Sequence, residues 1–480
     1  MLLFSEYLRE LLDDKQVSVS SLARSVGVDR TQLSKVLSGQ RVFPYHILDD
    51  LAYHLRLTPA EERKLRSYYD DQFEKEGIRR SHELIGKLFA NLSCLDFSTP
   101  ALEETRLLTN LEQYAGEKSV FRGETNVQFL LRMVLSEEMS RPDARLELTV
   151  PPSDTFLGTE LLHRYMDDKM TMEISQIICF DAAAAEGDIN LHNLESFCRI
   201  FPICLLSGQH YHPYYYYDNS TSAHYTDPFP YFVRTHSCVV CLSEDGACAM
   251  LLRAPDAISY YRRHFQTLTD RSYSLIQYTS DPLEILSSYQ KCTGPEGFYM
   301  AMDQPCFGRF YSNDFVQSYL RPELSDFPQI LQAALERFSL LQTVPDFFTF
   351  FSESGLKRFM ADGTLDDYPT EIVAPFPPQE RRQLMQKLAT AIRERNVTGH
   401  IFKEGVFPDY LAICTSAAQG VGFFTTRQFP LADGLCSVRI REPNLCLAFH
   451  SWMVRLPGSN LTLTAGETID ILEQLAETQE

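Results

Sequence analysis

The chain has 480 residues, 44% of them apolar and 22% charged, with 22 Gly and 25 Pro. That composition excludes a disordered, collagen-like or coiled-coil protein, and the length exceeds what one hydrophobic core usually serves, so several domains are expected. Its 44 basic residues face 64 acidic ones, a net charge of −20 that opposes wholesale coating of nucleic acid and confines any DNA contact to a local cationic face.

The opening residues carry Glu6 and Arg9 in an amphipathic pattern, unlike a secretory leader, and no run of about 18 apolar residues follows. The 12 cysteines are scattered, several inside apolar runs, as expected in a reducing compartment. A cytoplasmic protein without a membrane span is the expectation.

Residues 4–69 read as short, closely spaced helices. Phe4, Leu8, Leu11 and Leu12 share one face of a first helix that should end near Lys15. Ser18 is placed to cap a second helix with Leu22, Ala23 and Val26 inward, and Gly27 follows where a left-handed residue turns the chain. Asp29 is placed to cap a third, with Gln32 at the capping-box position, Leu33, Val36 and Leu37 inward, and Gly39 as its stop. A fourth helix carries Ile47, Leu48, Leu51 and Leu55 after Pro44. Thr58-Pro59, followed by Glu61 and Glu62, starts a fifth.

The segment Val17-Ser18-Val19-Ser20-Ser21-Leu22-Ala23-Arg24-Ser25-Val26-Gly27-Val28-Asp29-Arg30-Thr31-Gln32-Leu33-Ser34-Lys35-Val36-Leu37-Ser38-Gly39-Gln40 resembles the helix-turn-helix of the lambdoid phage repressors and Cro, the Xre-type family. Its Leu-Ala-x-x-Val-Gly pattern, the apolar pair of helix three and the Gly39 stop lie at that family's spacing. The resemblance implies that helix three enters the major groove of a double-stranded operator and leads with Arg30, Thr31 and Gln32, followed by Lys35 one turn later. Arg30 suits guanine, Gln32 suits adenine, and Thr31 suits a thymine methyl or a phosphate. Val19 and Ser20 occupy the phosphate-contacting start of helix two, and Gln40 and Arg41 the loop beyond helix three. Val19 departs from the family, since valine cannot donate a side-chain hydrogen bond.

Charge agrees with that placement. Residues 22–41 hold Arg24, Arg30, Lys35 and Arg41 against Asp29 alone, in a chain that is otherwise acidic.

Residues 70–94 read as a helical linker, apolar at Ile78, Leu84, Ile85, Leu88 and Phe89, with a break at Gly77; it could couple domains or form a dimer, and an amphipathic connector packed on its own chain would look the same. Beyond residue 95 strand-like and helical runs alternate, which predicts a large mixed α/β (α+β) region behind the all-α reader. The strand-like runs include 146–150, 174–180, 203–206, 231–242, 247–252, 297–310, 411–413, 421–425 and 436–450. Helical runs fall at 126–139, 155–170, 256–268, 328–341 and 378–395. We divide this region into a sensor domain at 95–292 and a second mixed domain at 293–480, behind a reader at 1–69. A shared β-β-α ending at 238–268 and 446–475 suggests a distant repeat, and the first of these is similar to the tail of phospholipase-D-like domains. The paired His-x-Lys-x-x-x-x-Asp motif of that family is absent, which argues against phosphodiester chemistry.

Other chemical signals are sparse. Cys238, Cys241, Cys248 and His236 lie close in sequence, but the valines between the first two make an apolar strand, so buried thiols are favoured over zinc. His210, His212, Tyr214 and His224 form a cluster that could line a ligand pocket or cap a core as a loop. Phosphate loops, nucleophile elbows and zinc-protease helices do not occur, so neither an enzyme nor a resident cofactor is expected. The resulting expectation is a sequence-specific DNA-binding transcriptional regulator, a homodimer on a near-palindromic operator, answering a small-molecule or protein effector; the alternatives are an enzyme of unrecognised activity fused to a DNA-binding domain and a controller module that holds a protein partner.

Overall fold

In the computed structural model the described residues are 4–39, 43, 47–71, 76–95, 110–166, 172–182, 189–218, 227–294, 297–324, 326–368, 370–416, 418–429 and 435–477. Five amino-terminal helices, α1 (Phe4–Asp14), α2 (Val19–Ser25), α3 (Arg30–Leu37), α4 (Ile47–His54) and α5 (Pro59–Asp71), enclose their own apolar core. Then comes α6 (Glu76–Ser93), in which Gly77 sits within the first turn.

The body that follows is an internal repeat. The first unit runs α7 (Leu111–Ala115), β1 (Val120–Arg122), α8 (Glu124–Met139), β2 (Arg145–Leu148), α9 (Thr155–Met166), β3 (Glu173–Asp181), α10 (Leu191–Leu206) and β4 (Tyr211–Asp218). It continues through β5 (Tyr231–Arg234), β6 (Val239–Leu242), β7 (Cys248–Leu252), α11 (Pro255–Thr269) and β8 (Tyr273–Ser274). The second unit runs β9 (Ile276–Thr279), α12 (Pro282–Lys291), β10 (Gly297–Ala301), α13 (Asn313–Tyr319), α14 (Phe327–Thr343), β11 (Asp346–Phe351), α15 (Glu353–Asp362), α16 (Pro378–Arg393) and β12 (Thr398–Ile401). It closes with β13 (Leu411–Ser416), β14 (Gly420–Thr425), β15 (Ser437–Ile440), α17 (Pro443–Arg455) and α18 (Ala465–Glu477).

Strand order makes the repeat plain. The first sheet reads β1-β7-β6-β5-β2-β3-β4-β8, and the second, from its other end, reads β9-β15-β14-β13-β10-β11-β12. In each, three strands are parallel (β2, β3, β4; β10, β11, β12) and the remaining pairs are antiparallel. The β8 pairing beside β4 also has a counterpart, the Phe402–Thr462 bridge just past β12. The units even share a junction: Leu252-Arg253-Ala254-Pro255 leads into α11 and Ile440-Arg441-Glu442-Pro443 into α17, with Pro at the first helical turn of both. The counterpart of β6-β7-α11 is therefore β14-β15-α17. The 446–475 match expected from sequence is displaced, because that stretch is α17 without its first three residues and α18 without its last two.

Three further readings are corrected. Residues 203–206 end α10, in which Phe197, Phe201 and Leu205 are buried at helical spacing; a short apolar run has no period of its own. Residues 436–450 split into β15 and α17, because Glu442 caps and Pro443 starts a helix. The tyrosine-rich 211–218 segment, which could have been a capping loop, is strand β4, parallel to β3, with residues alternating between the faces of the sheet.

Among the described residues, each sheet has its crossover helices on one face and a single helix on the other. In the first sheet α8, α9 and α10 share the large core, while α11 covers a smaller cluster of Ile177, Phe232, Val239, Cys241 and Phe265. In the second, α12, α14 and α16 enclose one core and α17 lies opposite. The large core is continuous from the three-helix face of the first sheet to the α17 face of the second: Phe201 and Phe423 lie 4.3 Å apart, and Phe197 and Phe449 5.8 Å. Helix α6 completes the joint. Its Ile85, Leu88, Phe89 and Leu92 are buried there, Phe89 lies 5.0 Å from Trp452, and Tyr410 donates to the Leu92 carbonyl at 2.7 Å. Residues 76–93 are thus a core element of the body, although the sequence reads as a linker.

Phe89 has no exposed surface. Truncation to alanine leaves a cavity between the two units, and Phe89→Ala should lower stability by about 3 to 5 kcal/mol, measured by denaturant unfolding of the full chain.

Candidate nucleic-acid interface

The expected reader is assembled by local capping and one buried stripe per helix. The Ser18 hydroxyl accepts from the Ser21 N–H at 3.2 Å and starts α2. Gly27 holds φ +70°, with nothing within 4 Å of where a Cβ would sit, so the glycine is required by backbone conformation and not by space. Asp29 accepts from the Thr31 N–H at 2.6 Å and starts α3, and hydrogen bonds from Thr31 hold its carboxyl below the usual range. Gly39, at φ +73°, lies beyond the C-cap Ser38.

The other helices hold α3 in place. Leu33, Val36 and Leu37 pack against Phe4, Leu8 and Leu11 of α1 and Leu48 and Leu51 of α4 within one core. Arg9 Nε donates to the last carbonyl of α3, Leu37, at 2.9 Å. Lys15 at the end of α1 pairs with Glu61 of α5 at 2.8 Å, and that bond, with the Thr58 backbone donor, draws the Glu61 carboxyl down to about 2. Arg66 bridges Asp49 and Glu62, each at 2.6 Å.

The scaffold cations are thereby occupied. The groove-facing candidates are not: Arg30, Thr31, Gln32 and Lys35 are all exposed on α3, along with Ser34, and among the described residues neither Arg30 nor Lys35 has an ion-pair partner. Arg24 is exposed on α2. A helix of 8 residues sealed on one stripe and polar on the remainder can enter a major groove roughly 12 Å wide. Ser20 is half-buried at the start of α2, and Val19 packs against the reader core, as its apolar side chain dictates. Gln40 and Arg41 lie outside the described residues.

The proposed ligand cluster is arranged differently from its sequence order. His210 Nδ1 and His212 Nε2 both meet Glu173 of β3, at 2.6 and 2.9 Å. Against the upward push of partial burial, these two histidines hold the Glu173 carboxyl below its ordinary value. Tyr214 packs in the cluster beneath α11, and His224 lies outside the described residues. Glu173 was missed because a strand's first residue carries no motif. Cys238, just before β6, and Cys241 within it are buried, burial raises both thiols, and His236 instead meets Glu138 at 2.5 Å.

Sequence reasoning also missed a buried charge network beyond the carboxyl ends of β10 and β11. Asp303, Asp366 and Asp367 are buried there among Arg358, Arg427 and Arg337. Arg427 bridges Asp366 at 2.9 Å and Asp362 at 3.1 Å. A Cβ on Gly355 would fall 2.1 Å from the Asp303 carbonyl oxygen, so only glycine admits this approach. Burial raises Asp303 to about 6 despite the Ser352 hydroxyl and Arg358, and raises Asp367 to about 6 despite Arg337. In the first unit a cleft of about 230 Å³ lies between the starts of α8 and α9 and the β6–β7 turn, lined by Glu124, Asp154, Phe156, Tyr231, Glu244 and Asp245 among others.

A raised carboxyl pKa means that the folded state keeps a proton the unfolded chain has released. Stability from Asp367 is therefore present below about pH 4 and lost as pH rises through about 6. The wild type should lose about 3 kcal/mol more than Asp367→Asn between pH 4 and 7, for a shift of about two units, measured by unfolding at both pH values. In the reader, Gly27→Val should lower the melting temperature, since a β-branched residue is strained at this φ.

Comparison with known proteins supplies an independent observation. No curated protein matches the chain. Residues 3–65 match the family model of a helix-turn-helix domain, so the chain carries such a domain at its amino end.

Proposed function

We propose that the chain is a sequence-specific DNA-binding transcriptional regulator of the Xre type, in which helices α1 to α5 read an operator and the duplicated body senses an effector or mediates assembly. One observation carries this reading: α3 presents Arg30, Thr31, Gln32 and Lys35 outward while Leu33, Val36 and Leu37 lock its other side. These side chains supply bidentate and methyl contacts of the kind that distinguish base pairs. The chain's overall acidity favours approach through this face.

In this reading the body is a binding scaffold similar to phospholipase-D-like domains, without their catalytic motif and without enzymatic activity. The cleft of about 230 Å³ is a place for a small effector, and its carboxylates would repel anions. A second reading, an enzyme joined to a reader, draws on Asp303 and Asp367, whose raised pKa values lie where ligands often bind α/β sheets. The internal matching of these carboxylates with arginines favours structure over chemistry. Turnover of a substrate by the intact chain, abolished in Asp303→Asn, would reverse that preference.

Genome-wide footprinting of the intact protein tests the main reading and should return a discrete operator. Arg30→Ala or Gln32→Ala should cost about 1 to 3 kcal/mol on that operator and relax its preference at one position. Arg41→Ala should weaken all sequences alike and flatten the salt dependence. Equal losses on cognate and random DNA from the first two would remove the base-reading role.

A further inference from the structure

Helices α11 and α17 are equivalent in the repeat, but their surroundings differ. Aligned from their shared Pro, Tyr261 corresponds to Phe449, Phe265 to Met453 and Leu268 to Leu456, all packed inward. The next face differs. In α17 it comprises Ala448, Ser451 and Trp452, which lie against α6: Ser451 meets His82 at 3.0 Å, and Trp452 meets Phe89 at 5.0 Å. The equivalent positions on α11 are Tyr260, Arg263 and His264, all exposed, with Tyr260 at 59% and its ring parallel to that of His264. Arg262 beside them is exposed too.

The units are joined head to tail. The three-helix face of the first unit, with α6 laid on α10, receives the single-helix face of the second. A heterologous joint of this kind leaves one unmatched face at each end of the chain. One is α11. At the other end α18 lies on α16, as α6 lies on α10, and α18 contains four carboxylates and no Lys or Arg, with Asp470 and Glu477 exposed.

We propose that copies of this chain associate head to tail, with the Tyr260–Arg263–His264 face of α11 on one copy seated on α18 of the next. Tyr and Arg are residue types enriched at interface centres. The charges are complementary, Arg262 and Arg263 against Asp470 and Glu477. A two-fold α11–α11 contact would instead set these arginines against their own copies, at a cost. Taken with the proposed operator-reading role, this assembly sets successive readers in the same direction, so the operator is a direct repeat and not the near-palindrome that the family resemblance implies.

Sedimentation of the full chain without DNA tests the assembly separately from the reader. The weight-average mass should rise with concentration beyond that of a dimer and fall with added salt. Arg262→Glu/Arg263→Glu should weaken association at least tenfold, Asp470→Arg/Glu477→Arg should do the same, and combining all four should restore it, with melting temperatures unchanged. A wild type that stays monomeric, or a closed dimer indifferent to both reversals, overturns the proposal. So does an α11 reversal that leaves the mass unchanged and weakens DNA binding, which would assign this face to nucleic acid.

Discussion

A mixed sheet has two faces, and each must be kept from water by something apolar. In this chain the inner face of the second sheet is covered by α17, and α17 is covered in turn by the helices of the first unit and by α6. The aromatic contact among Phe89, Phe197, Phe201, Phe423, Phe449 and Trp452 is therefore the constraint on which the body depends. Without it each unit would expose an apolar helix, and the two would behave as separate domains. With it, α6 and the facing layers of the two units share one core, and a boundary drawn near residue 94 would cut through packed side chains.

The reader was legible because its determinants are local. Ser18, Gly27, Asp29 and Gly39 act over one turn of chain each, and the inward stripes repeat at helical spacing within seven or eight residues. The body was legible in its elements and not in its arrangement. Helices at 126–139 and 378–395 carry long periodic patterns, whereas 203–206 and 211–218 contain too few residues to show a period, and packing decided them. The repeat left little in the sequence beyond one Arg-x-Pro junction, because its two copies keep strand order and not side chains.

The same distinction applies to the sites. Arg30, Thr31, Gln32 and Lys35 could be placed from sequence, since a helix that buries three residues must expose the rest. Glu173 meets His210 and His212 from 37 and 39 residues away, and Asp303 lies 63 and 64 residues from Asp366 and Asp367, so both sites bring together residues from distant parts of the chain. No local pattern announces such a meeting. The network also shows how the second unit tolerates buried carboxylates: each has an arginine near it, at the cost of a pH-sensitive interior.

The length of the connection between reader and body has a mechanical consequence. Helix α5 ends at Asp71, and α6, fixed in the large core, begins at Glu76. Five peptide links span at most about 18 Å. The helix-turn-helix is thus on a short leash anchored in the joint between the two units. A shift of α6 in its seat would be felt at the DNA as a change of reach rather than be lost in a long tether.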